Sequence, residues 1–316
     1  MAGGQERVLR RRIKSVQATK KITRAMELIA SSQIVRAQNR IRAGAPYQRG
    51  IARVLAEAAA DAGDTAGRVL GVPESPQRVL VVALVADRGL CGGYNANVLR
   101  TVERLVRAGR AEGREYRIVA AGKKAQSYLR FRGLEVTEAF TGFSDRPTFE
   151  DARRVAAAVT PRFAAEDVDQ VMIVSTRFVS AGTQVVETRQ LLPLPEPTDG
   201  VPHPHFETES VTGDHGAQGV AAREGYTEFE PDATELLVEL VPCYVEAALF
   251  GALLEAAASE HTARQRAMAA ATDNAEELVK TLTRIMNRAR QDAITTEIME
   301  IVGGAESLRQ AAKAQD

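Results

Sequence analysis

Tryptophan is absent from the 316 residues, and aromatic side chains of all kinds make up only 5% of them. Little surface is therefore available for stacking nucleic-acid bases, and Tyr47 is the only aromatic before Tyr94. Cysteine is equally scarce. Cys91 and Cys243 stand far apart, in neither a metal-ligand nor a redox spacing, and read as ordinary thiols of a reduced compartment. Of four histidines, His203, His205 and His215 cluster in a Pro-rich stretch where adventitious metal binding is the plainer reading. No run approaches the roughly 18 apolar residues of a membrane span. The N-terminus is too densely charged for a secretion signal. These absences point to a soluble or peripheral protein. No Ser/His/Asp, Cys/His or paired-carboxylate arrangement stands out, so no catalytic, metal or cofactor-binding residue is assigned.

What the chain does have is a helix-forming composition and an uneven charge. Hydrophobic residues are 45% and charged residues 26% of the total, with Ala, Leu, Arg, Glu and Gln dominating both ends. The formal net charge is zero, yet residues 1–50 carry twelve Lys or Arg against two acids, Glu6 and Glu27, a difference of +10. Such a segment either meets an acidic partner or forms a solvated helix face. Across residues 8–61, apolar side chains recur at Leu9, Ile13, Val16, Ile22, Met26, Ile29, Ile34, Ala37 and Ile41, mostly three or four apart. The pattern predicts a helix of about 54 residues, roughly 80 Å long, kinked or interrupted at Pro46. Residues 232–302 hold a stricter spacing. Phe250, Leu254, Ala257, His261, Arg264, Met268, Ala271, Ala275, Leu278, Leu282, Ile285 and Ala289 step by 4 and 3, as in a heptad seam. Pro242 is expected to start or kink this helix, and Gly303-Gly304 to end it. Neither helix is stable alone in water, so the economical arrangement pairs them antiparallel.

Between them the sequence alternates strand and helix signals. Strands are expected at 79–85, 117–121, 134–138, 168–175 and 184–192, and helices at 95–107, 123–131 and 148–163. That alternation predicts a mostly parallel, Rossmann-like sheet with helices on its faces. The fold class is α/β plus a long antiparallel coiled coil, the α/β domain being inserted between paired N- and C-terminal helices. Residues 1–76 form the first helix and linker, 77–194 the α/β domain, 195–231 a Pro/Gly-rich loop insert, 232–304 the second helix and 305–316 a flexible tail.

One motif invites a functional reading. Asp87-Arg-Gly-Leu-Cys-Gly-Gly-Tyr-Asn95 follows a strand and precedes a helix, where backbone N–H groups can cradle phosphate. It lacks the Gly-Lys-Ser/Thr ending of a P-loop and the spacing of a dinucleotide fingerprint. Gly89, Gly92 and Gly93 are read as a structural tight turn, with Asn95 as a candidate N-cap. A Rossmann-like nucleotide-binding enzyme with helical extensions, and a coiled-coil scaffold or nucleic-acid binder, are the alternatives.

Three blocks carry a resemblance: Arg12-Ile-Lys-Ser-Val-Gln-Ala-Thr-Lys-Lys-Ile-Thr-Arg-Ala-Met-Glu-Leu-Ile-Ala-Ser-Ser32, the Asp87–Asn95 run, and Ala269-Ala-Ala-Thr-Asp-Asn-Ala275 followed by Asn287-Arg-Ala-Arg-Gln-Asp-Ala-Ile-Thr-Thr-Glu-Ile-Met-Glu-Ile-Val-Gly-Gly304. In this order they resemble the gamma subunits of F-type ATP synthases. The resemblance implies a non-catalytic rotor shaft, present as a single copy, that couples proton flow to ATP synthesis. It implies alpha and beta subunits of the catalytic head, an epsilon subunit and a membrane c-ring as partners, no nucleic acid, and no cofactor. Met26 matches a position beside an acidic beta-subunit loop, which Lys20, Lys21 and Arg24 would complement. Arg264, Gln291 and Thr295 match positions touching other beta-subunit loops. The expected place is the cytoplasmic face of a bacterial cell membrane, held peripherally. The insert at 195–231, the tail beyond Gly304 and Pro242 depart from the family pattern.

Overall fold

The structure, a computed structural model, describes residues 2–62, 75–194, 230 and 232–313. In chain order the elements are α1 (Ala2–Ala62), β1 (Arg78–Leu84), α2 (Tyr94–Ala111), β2 (Glu115–Ala121), α3 (Lys123–Phe131), β3 (Val136–Phe140), α4 (Phe149–Ala164), β4 (Gln170–Phe178), β5 (Gln184–Leu192) and α5 (Ala233–Lys313). They divide into two compact units, one of residues 1–29 with 265–316 and one of residues 30–264.

The larger unit is built on a five-stranded sheet of order β3-β2-β1-β4-β5. β1 pairs in parallel with β2 and β4, β2 pairs in parallel with β3, and β5 closes the edge antiparallel to β4. The continuous apolar run of β1 suits a strand covered on both faces. Leu80, Val82 and Leu84 enter one core with Val155 and Val159 of α4, Leu55 of α1, and Leu237, Val245 and Leu249 of α5. Val79, Val81 and Ala83 enter the other with Val98 and Val102 of α2 and Leu129 of α3. Alternate residues of one strand thus glue a helical layer to each face, each fully buried Leu or Val contributing roughly 1.5–3 kcal/mol. α4 starts at a capping box: Thr148 Oγ1 accepts from the Asp151 N–H at 3.2 Å, and Asp151 Oδ2 accepts from the Thr148 N–H at 2.7 Å.

Within this unit Ala37, Ile41, Leu254 and Ala258 share one cluster, and α1 and α5 run antiparallel, since a Cβ on Gly44 would lie 3.9 Å from Leu254 Cδ1 while Gln48, later on α1, faces Gly251, earlier on α5. Further along, Gly251 lies so close to Gln48 that a Cβ would sit 2.7 Å from its Nε2. Arg40 adds a polar tie. Its guanidinium donates to the Pro147 carbonyl and lies 6.0 Å from the centre of the Phe250 ring, itself edge-on to Phe149.

The smaller unit pairs the outer parts of the same two helices. Lys20 meets Glu276 at 3.0 Å and Thr23 meets Thr272 at 2.8 Å. Moving forward on α1 moves backward on α5, so this pair is antiparallel too.

Pro46 and Pro242 lie inside α1 and α5, which sets aside an interruption at Pro46 and a helix start at Pro242; three further expectations are corrected. One proline removes a single N–H bond, and helices held by packing along many turns tolerate that loss. Gly303 and Gly304 do not stop α5, which continues to Lys313; neither adopts the left-handed conformation of a helix stop, and the segment expected as a flexible tail is helical that far. Asn95 is not the cap of α2, whose N-cap is Gly93 with no side-chain bond. Finally, Glu235–Ala305 does contain an 18-residue window of mean hydropathy 1.8, long and apolar enough by composition to cross a membrane. Leu237, Val241, Val245, Leu249 and Leu253 of that segment are buried in the sheet core, which accounts for apolarity of this kind. The insert at 195–229, with His203, His205 and His215, and residues 314–316 lie outside the described residues.

Candidate functional site

The seam of the smaller unit explains which side chains it offers outward. On α1 the inward positions are Ile13, Val16, Lys20, Thr23 and Glu27, stepping 3, 4, 3 and 4. Ile22 and Ile29, expected on the inward stripe, fall off this register and are each 61% exposed, with Leu28 beside them at 59%. On α5 the seam runs Met268, Thr272, Ala275, Val279 and Leu282 rather than through Leu278 and Ile285, which are exposed. A threonine pair stands where apolar residues were expected, and that is why the register shifts. The signal was present: counting strictly from Ile13 in steps of 3 and 4 leaves Ile22 and Ile29 outside.

The helix pair therefore presents apolar side chains among cations. Lys21 and Arg24 are exposed, Met26 and Lys20 half-buried. Arg24 forms a two-oxygen ion pair with Glu27 at 2.9 Å, and Lys20 is engaged with Glu276. Farther along α5, Gln291 and Thr295 are exposed, and so are Ile294, Ile298, Met299, Ile301 and Val302. Exposed apolar side chains grouped this way mark a surface made to be covered.

The Asp87–Asn95 turn is arranged differently. Leu90 and Gly92 take the left-handed backbone at φ 61° and 55°, so the turn is tight where Gly92 stands; Gly93 has φ −81°. Asn95 Oδ1 accepts from the Ala86 N–H at 2.9 Å, and its amide reaches Cys91 Sγ at 3.2 Å. The side chain that would cap a helix instead staples the two ends of the turn together. Asp87 settles what the nearby amides bind. Its Oδ1 accepts from the Lys123 N–H at the start of α3 at 2.8 Å, and its Oδ2 from the N–H groups of Gly142 and Ser144 at 2.9 and 3.0 Å. The anion at the N-terminus of α3 is thus the protein's own carboxylate, which engages the Lys123 amide there.

Arg264 is turned inward. It is 8% exposed, bonds Glu260 at 2.6 Å and reaches the Gly89 carbonyl at 3.5 Å. Burial drives the Glu260 carboxyl above the usual carboxylate range, with Arg264 opposing. Burial likewise lowers His261 and raises the Cys91 thiol and the Tyr94 phenol. Among the described residues, no group of three or more His, Cys, Asp or Glu is placed to hold a metal ion.

These features define a class: a helix-pair protein carrying an inserted, mostly parallel-sheet domain, with many of its outward apolar side chains on the two long helices. The chain matches the ATP synthase family model over residues 5–308. It is 46% identical over 314 residues to the ATP synthase gamma chain of Parafrankia sp. (strain EAN1pec), covering 96% of this chain and 98% of that one. With the ATP synthase gamma chain of Streptomyces avermitilis it shares 42% identity over 99% of each chain. Among solved structures, a chain of the Euglena gracilis mitochondrial ATP synthase superposes with a TM-score of 0.67 at 18% identity, covering 98% of this chain and 97% of that one. A chain from the central stalk and c-ring of the Tetrahymena thermophila enzyme superposes with 0.57 at 22% identity, covering 79% and 99%. The chain belongs to the ATP synthase gamma-chain family. Membership makes it a non-catalytic subunit of a proton-translocating ATP synthase.

Proposed function

We infer that the chain is the central-stalk gamma subunit of an F-type ATP synthase, the rotor that links a proton-driven membrane c-ring to a catalytic head of alpha and beta subunits. The observation that carries this reading is the identity of 46% to a gamma chain over nearly the whole length, joined to an antiparallel helix pair with an outward apolar and basic surface. A helix pair of this kind is not symmetric about its axis. Subunits around it meet different faces, so each face stabilises a different conformation and a different nucleotide affinity. That is a coupling free energy between rotor angle and site affinity.

Residues 77–194 are the part we assign to the epsilon subunit and the c-ring, and the helices the part assigned to the head. Lys21, Arg24 and Met26 are the contacts proposed for an acidic beta-subunit loop, with Lys20 beside them steadied by Glu276. Gln291 and Thr295 are proposed contacts of the opposite helix. Arg264 is proposed to act from within its own unit, because its charge is already engaged by Glu260. The complex is proposed to lie on the cytoplasmic face of a bacterial membrane, with this chain held peripherally.

A pull-down tests the reading. A tagged chain expressed in its own cells should co-purify with alpha, beta and epsilon subunits, and the recovered complex should pump protons when given ATP. Recovery of the chain free of alpha and beta subunits would overturn it.

A further inference from the structure

The Asp87–Asn95 turn is joined to α5 by a buried polar chain that turn formation does not require. Glu260 is fully buried, His261 is 4% exposed and Arg264 8%. They lie within adjacent turns of α5 and reach two different loops of the sheet. Arg264 holds Glu260 at 2.6 Å and extends toward the Gly89 carbonyl at 3.5 Å. His261 Nε2 lies 3.0 Å from the Asp145 carbonyl. Ser144, next to it, faces the Glu260 carboxylate, and its Oγ accepts from the Asp87 N–H at 2.8 Å. The Asp87 carboxylate then fixes the start of α3.

An apolar patch would cover the same helix face at lower cost, because desolvating an ion pair is expensive. What an apolar patch does not supply is register. Greasy surfaces slide and rotate past one another, whereas directional bonds to separate loops break if the helix turns. Arg264 is also the last residue of the sheet-bearing unit.

We propose that Glu260, His261 and Arg264 form a torque latch, positioning residues that hold α5 in one rotational register on the sheet domain so that load on that domain turns the helix instead of slipping past it. The latch rests on the central-stalk reading. It also accounts for the glycine-rich turn, which brings the Gly89 carbonyl and the Asp87 carboxylate to α5 and its neighbouring loop.

The test uses whole ATP synthase in sealed vesicles, with Glu260→Gln, Arg264→Met and the double variant. Hydrolysis and ATP-driven proton pumping are measured on the same preparations, with and without an opposing proton gradient. The latch predicts retained hydrolysis, loss of pumping per ATP against the gradient, and a double variant no worse than the worse single, since the pair acts as one unit. His261→Ala should lose pumping under load and His261→Gln, whose amide still donates to the Asp145 carbonyl, should restore it. A purely structural role would lower the amount of assembled complex and leave pumping per ATP unchanged; that result, or wild-type pumping under load in these variants, overturns the latch. Absence of coupling in the wild-type complex would instead count against the central-stalk reading.

Discussion

Lys20 and Glu276 stand 256 positions apart in the chain and 3.0 Å apart in the folded unit. Lys280 reaches the same carboxylate at 3.4 Å. Lys20 first, and Lys280 after it, hold the Glu276 carboxyl below its usual range. A depressed carboxylate contributes stability above its unfolded value, and the contribution is lost as pH falls through the folded value. The pair is half-exposed, so solvent and salt screen it. Lys20→Glu should therefore lower the melting temperature of the chain at neutral pH and low salt, and adding Glu276→Lys should recover part of the loss. The recovery should fade in high salt. Independent, additive effects of the two changes would show that the contact carries no energy.

The seam register makes a sharper demand. Leu282 is 5% exposed and Leu278 is 41% exposed. Leu282→Ala removes buried apolar volume and should cost about 2 kcal/mol or more, while Leu278→Ala should cost less than about 1 kcal/mol. Leu282→Pro should prevent formation of the helix pair, since it adds a missing N–H and a backbone clash to the lost packing. Denaturant midpoints of the three variants check the order. Equal effects at 278 and 282 would restore the register first read from the sequence.

That register is where the sequence was least legible. The sheet was readable because its code is local: β-branched runs such as Val79–Val82 alternate with amphipathic helices, and α3 and β5 fall at their expected limits. The helices were readable as helices for the same reason. Their inward faces were readable in part: Ile13, Ala37, Ile41, Leu254, Met268, Ala275 and Leu282 are buried as expected, whereas Ile22, Ile29, Leu278 and Ile285 are exposed, because Thr23 and Thr272 bond each other across the seam and Lys20 turns to Glu276. Polar residues at core positions defeat a count of apolar ones. The Gly303-Gly304 pair misled in the opposite way, since its local stop signal is overruled by helical continuity along α5. The site at Asp87 was half legible. The tight turn follows from its glycines, but the amides that its carboxylate binds lie 36 to 57 positions away and leave no local trace.

Glu255 supplies a pH prediction. It is 8% exposed on α5, and burial pushes its carboxyl up to about 7, with Arg189, Glu187 and Arg177 around it as weaker influences. A raised carboxyl means that the folded chain binds more protons than the unfolded one between the two values. Stability should then fall as pH rises through that window, by at most about 3 kcal/mol from this group. Glu255→Gln keeps the shape and removes the titration. Its melting temperature should be flatter between the ordinary carboxylate range and neutrality than that of the parent chain. Parallel curves for the two proteins would assign the dependence to other groups.

Two glycines separate backbone necessity from helix propensity. Gly122 opens α3 with φ 109°, and a Cβ there would lie 2.1 Å from the Val85 carbonyl oxygen. That carbonyl belongs to the backbone beside the Asp87 turn and has no flexible end to move aside. Gly122→Ala combines the clash with a φ that side chains avoid, and should cost about 3 kcal/mol or more. Gly303 lies inside α5, exposed, with nothing within 4 Å of an added Cβ. There the added methyl meets no obstacle and relieves the entropy that glycine loses in a helix. Gly303→Ala should stabilise by up to about 1 kcal/mol. Helical content of the variant, followed by circular dichroism through thermal melting, separates the outcomes. A helix that truly stopped at Gly303 would be indifferent to the change or harmed by it, whereas one that runs on to Lys313 gains from it.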